Sequence, residues 1–167
     1  MASRFFLVVA CIAGLIPTAF GQLTSRDRTF ITNAAQANNF QIEAALLANE
    51  YSSNPECRRY ATEIANAQTE ETGQLQSTVA DQNSTMKLPS GLSPTGQRQL
   101  NALKNSKNVD ATFRNEIMSS YSSTIRMYQD YIEQPDANEE LTRMAQELLP
   151  KFEQHLEDAR DLDLAPQ

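Results

Sequence analysis

Four long segments of this chain repeat apolar side chains at steps of three and four, with almost no glycine inside them. That period is the helical one, and no segment alternates with the period of a strand. In the first segment, about residues 26–52, Phe30, Ala34, Ala37, Gln41, Ala44, Ala45, Ala48 and Tyr51 share a face. Its alanines favour helix and allow close packing. In the second, about 55–81, the stripe is Cys57, Ala61, Ile64, Gln68, then Glu71 or Thr72, Leu75 and Val79. The third, about 109–133, carries Val109, Phe113, Ile117, Tyr121, Thr124, Tyr128 and Tyr131. The fourth runs to about Leu162 through Leu141, Met144, Ala145, Leu148, Phe152, His155 and Ala159, with Pro150 inside it as an expected kink.

The punctuation between segments agrees with helices. "SSNP" stops the first, with Asn54 as N-cap and Pro55 at the first position of the next. In "EQPDANEEL", Asp136 followed by Glu139 three residues on reads as a capping-box variant. Residues 82–108 are rich in Pro, Gly, Ser and Asn, and "SPTGQRQLNALKN" places one short amphipathic helix there, opened by Pro94. A connection that long is unusual for neighbouring helices and suits a crossover running the length of a bundle. The expectation is an all-α four-helix bundle with a short helix in the crossover between its second and third long helices.

The first residues, "MASRFFLVVACIAGLIPTAFGQ", have a charged start, an apolar run from Phe5 to Ile16, and small residues at Ala19 and Gly21. This is the pattern of a secretory signal cut before Gln22, which leaves residues 22–167 as one exported domain, secreted or periplasmic. The run is shorter than a membrane span, and no second candidate follows. "VVAC" also resembles a lipoprotein cleavage box, but only about half of the apolar run precedes Cys11. Loss of Cys11 leaves Cys57 alone, so an intramolecular disulfide is excluded. The formal net charge of −7, the absence of Trp and the lack of any Lys/Arg cluster argue against nucleic acid as a partner.

Each long helix places a polar side chain in the middle of its apolar stripe: Gln41, Gln68, Tyr121 and His155. Bundle interiors are where facing helices build metal sites, usually from Glu and His. Gln amides offer only neutral oxygens, Tyr ligates well only as phenolate, and His155 is a single imidazole. With Glu71, Glu43 and Tyr121 added, His155 makes a sparse candidate metal set. The other reading is an inner polar network of Gln41, Gln68, Tyr121 and His155 bonded to one another or to water, with no cofactor.

In order and spacing, these motifs resemble an exported, ferritin-like bacterial domain family of unknown function, whose members are labelled outer-membrane or periplasmic proteins. The resemblance covers about residues 27–162. "FITNAAQANNFQIEAALLA" follows its first helix with Gln41 where the family has Glu. "YATEIANAQ" follows its second with Ala67 and Gln68 in the places of Asp-His. "VDATF" and Tyr121 follow its third, keeping Asp110 and replacing a His, and "LLPKFEQH" keeps the Leu-Pro-x-x-x-x-His of the fourth through His155. The resemblance implies a ferritin-like bundle with a central His/Glu constellation. This chain replaces most of it with neutral groups of similar size.

No nucleophile–base pair or facing carboxylate pair is visible, since the "EE" pairs at 70–71 and 139–140 are adjacent residues on different faces. The function expected from sequence is an exported, non-catalytic bundle with a structural, protective or protein-binding role. The alternative is a ferritin-like metal-binding or oxidative-stress protein using His155, Glu71, Glu43 and Tyr121. A third, lipid or polymer binding, is disfavoured because the apolar faces are needed for the core. "NST" at Asn83 is a glycosylation acceptor pattern in the crossover.

Overall fold

The computed structural model describes residues 22–164. The signal segment inferred above lies outside them. Five helices follow in order: α1 (Ser25–Tyr51), α2 (Pro55–Asp81), α3 (Pro94–Lys104), α4 (Val109–Ile132) and α5 (Glu139–Asp161). Among the described residues no strand occurs, and the four long helices form an all-α four-helix bundle.

Local chemistry explains where each helix starts. Asn54 accepts from the Cys57 N–H, with Pro55 in the first turn of α2. Ser93 does the same for Gly96 ahead of Pro94. Thr24 and Asp27 form a reciprocal capping box on α1, a signal the apolar stripe hides because Asp27 lies just before it. The expected cap of α5 needs correction. Asn138, not Asp136, takes the N–H groups of Glu140 and Leu141. Asp136 lies outside the helix and pairs with Arg26 at 2.5 Å on the surface. A capping side chain must sit one residue before the first helical turn, and Asp136 is two residues too early. Helix α5 continues through Pro150.

Chain direction follows from the bonds at one end. Asp27, in the first turn of α1, accepts from the Tyr131 hydroxyl near the end of α4 and from the Asn138 N–H ahead of α5. The Asn138 amide also reaches Gln82, just past α2. So α1 and α5 start where α2 and α4 end, giving an up–down–down–up bundle. The pairs α1–α2 and α4–α5 are hairpins, α1 packs on α4 and α2 on α5, and residues 82–108 carry the chain along the full length. On the way, α3 lies over α1 and α4.

Buried side chains match the stripes with few departures. Ala37 and Val109 are only half-buried, Tyr51 is 61 % exposed, and Asn38 takes an inward place on α1. An aromatic file runs through the interior. Tyr131 stacks on Phe30 at 3.9 Å, Phe30 meets Tyr128 edge-on at 5.0 Å, and Tyr128 meets Phe152 at 4.8 Å. Tyr121 follows at 6.1 Å from Phe152 and 5.5 Å from the His155 ring. Pairs of this geometry add about 0.5–1.5 kcal/mol each beyond the area they bury.

Candidate functional site

The inner polar layer is built from every long helix. Helix α1 supplies Asn38 and Gln41, α2 supplies Gln68 and Glu71, α4 supplies Ser120, Tyr121 and Thr124, and α5 supplies His155. The two glutamines are fully buried, as is Tyr121. The Gln68 amide donates to the Tyr121 hydroxyl at 3.1 Å, so two of the four residues singled out from sequence bond directly. The His155 ring lies against Tyr121 without a hydrogen bond to it. Gln41 is not brought to the others; its amide donates to Ser120 at 3.0 Å and Thr124 at 3.5 Å. Burial pushes the Tyr121 hydroxyl well above the usual tyrosine range, with Tyr60 and Glu71 adding to the effect. It is a neutral phenol, not a phenolate ligand.

The other candidates separate. Glu43 is exposed on α1, in a shallow groove with Ser90 and Lys104, and has no part in the layer. Glu71 is only 2 % exposed. Neither of its oxygens completes a hydrogen bond, although the neighbouring Gln68 amide favours its charged form. Burial raises its pKa to about 7, against the opposing pull of Lys151. Glu71 and His155 line one pocket of about 430 Å³ with Glu70, Lys151, Gln154, Ala67 and Pro150.

His155 is half-buried at the rim of the layer. Its carbonyl accepts from the Tyr60 hydroxyl at 2.7 Å, which ties α5 to α2. Nδ1 of its ring is buried with no partner. Burial lowers its pKa, and the nearby Glu63 and Asp158 partly offset this. Those two carboxylates were missed from sequence. Glu63, His155 and Asp158 each present a ligand atom within 4.8 Å of the other two. Spacing of three residues between His155 and Asp158 was the legible half of the signal, because residues so spaced share a helix face. Glu63 comes from α2, and only the packing of α2 on α5 reveals it.

Cys57 is fully buried, and burial pushes its thiol up to about 11, beyond the range of a reactive thiolate. No helix among the described residues is long and apolar enough to cross a membrane.

Fold and site together define a four-helix bundle with buried amides, a phenol and the Glu71 carboxylate at its centre and a His/carboxylate group at its rim. The chain belongs to the family described as "Domain of unknown function (DUF4142)", whose model matches residues 17–162. A comparison with curated proteins finds no match. Among solved structures, the chain is similar to the crystal structure of a DUF305 fragment from Deinococcus radiodurans. The TM-score is 0.71 at 16 % identity, covering 84 % of this chain and 97 % of that one. At that identity the likeness concerns the fold.

Proposed function

We propose that this protein is an exported, non-catalytic helical bundle with a structural, protective or protein-binding role, and that the metal centre implied by its ferritin-like resemblance has been given up. The observation that carries the reading is the donor set at the centre. Gln41, Gln68 and Tyr121 are buried, and the bonds they make run to hydroxyls or to one another. Iron and manganese centres in helical bundles rest on Glu carboxylates and His imidazoles, whose charge and basicity offset the ion. Two amides and a neutral phenol supply neither. The substitutions keep the volume of the layer filled, so the bundle is retained without the ligand charge. Export is supported by the charged, apolar and small-residue order of the first 21 residues.

Two measurements test this. Sequencing the mature N-terminus of protein from the extracytoplasmic fraction should read from Gln22; an uncleaved chain held in the cytoplasm would overturn the export half. Ferrous ion and oxygen added to purified protein should be consumed no faster than in buffer. Oxidation that is catalysed, and lost in His155→Ala, would establish the competing reading of a ferritin-like metal-binding or oxidative-stress protein. The feature favouring that alternative is the buried Glu71 carboxylate beside His155.

A further inference from the structure

We propose that Glu63, His155 and Asp158 form a divalent-metal site of the zinc class at the seam between α2 and α5, at the rim of the polar layer and away from Gln41, Gln68 and Tyr121, on whose neutrality the proposed function rests. One imidazole and two carboxylates make a ligand set that zinc accepts, and three protein ligands leave a fourth position for water. The ligand atoms lie within 4.8 Å of one another. Bonds of about 2.0–2.2 Å need them closer by roughly an ångström, which the exposed Glu63 side chain can supply by changing rotamer. His155 and Asp158 are fixed on one face of α5 by their three-residue spacing, and Glu63 faces them from antiparallel α2.

Acidic groups on a surface are common without a metal, and the buried surroundings of His155 distinguish this cluster. The ring is held by Tyr121 on one side, and the His155 backbone by the Tyr60 hydroxyl. Its Nδ1 is buried and has no partner. On the same pocket stands Glu71, 2 % exposed, with the Gln68 amide as its neighbour. A metal-bound histidine passes its second ring N–H to a carboxylate or carbonyl, which orients the ring and raises its basicity. Glu71 lines the same pocket and is the carboxylate we assign to that role; the two groups share no hydrogen bond in the structure, so the assignment requires the ring or the carboxylate to turn. Two cations oppose it. Arg59 pairs with Glu63 at 3.3 Å and Lys151 lines the pocket; both are long, exposed side chains that can withdraw into solvent.

The test is zinc titration of the untagged chain by calorimetry, repeated with cobalt to read the coordination by absorption. The expected result is one ion per chain, with Glu63→Gln, Asp158→Asn and His155→Ala each weakening binding by at least about tenfold. Glu71→Gln should weaken it by about 10–100-fold, as loss of an outer partner does, and Glu43→Gln should leave it unchanged. The two surface variants conserve shape, and circular dichroism verifies their fold. Absence of saturable binding, or binding as tight in Glu63→Gln and Asp158→Asn as in the parent chain, would overturn the site. So would loss in His155→Ala alone.

Discussion

Two buried carboxylates in this bundle have opposite environments, and stability should follow pH in opposite directions through each. Asp27 is buried, which by itself would raise its pKa, yet hydrogen bonds from Tyr131, Thr24 and Asn138 outweigh that and hold it below its ordinary 3.8. A depressed folded-state pKa contributes stability that is present above the unfolded value and lost as pH falls through the folded one. Asp27→Asn should therefore cost about 2 kcal/mol near neutrality, the scale of hydrogen bonds to a charged group. That cost should shrink below about pH 4 in denaturant melts. Glu71 is the reverse case. Burial moves it from an ordinary 4.5 to about 7, so the folded state binds more protons than the unfolded one between those values. Stability is lost as pH rises through that window. Glu71→Gln should raise the melting temperature at pH 8, by the equivalent of about 3 kcal/mol, with no gain at pH 4. An equal effect at both pH values would show that Glu71 is not held protonated by burial.

At the scale of elements, most of the fold was legible because helical period, proline placement and N-cap residues are local. Asn54–Pro55 and Ser93–Pro94 mark starts that the structure has at the same residues. Asp136 misled because "DANEE" offers two cap candidates in succession, and only the end of the α4–α5 turn selects Asn138. The site was less legible. Gln68 and Tyr121 meet, but Ser120 lies outside the stripe read for α4 and Glu63 outside the one read for α2. A helix-to-helix contact carries no signal in one-dimensional spacing. The approach of α3 to α1 is another such contact. A Cβ on Gly96 would stand 3.3 Å from the Phe40 Cβ. Gly96→Val should push α3 off the bundle and cost about 1–3 kcal/mol by overpacking, read as a lower midpoint in urea. A wild-type midpoint would mean that α3 is not seated against Phe40.

For the whole molecule, the up–down–down–up order makes the crossover a length requirement. Helix α2 has 27 residues, about 40 Å at a rise of 1.5 Å each. Residues 82–108 span that with α3 included. A five-residue linker reaches only about 17 Å, so replacing residues 83–107 with one should abolish the folded monomer. Size-exclusion chromatography should then show exchanged dimers or unfolded chain; a compact monomer would mean that α4 can run the other way. Within this frame neutral amides and a phenol stand at the centre with the buried Glu71, and Glu63, His155 and Asp158 at the α2–α5 rim. Anomalous diffraction from crystals soaked in zinc or manganese tests that division most directly. The account predicts a zinc peak at Glu63, His155 and Asp158, and nothing for either metal among Gln41, Gln68 and Tyr121. A strong peak at ligand distance from those three central residues would contradict it.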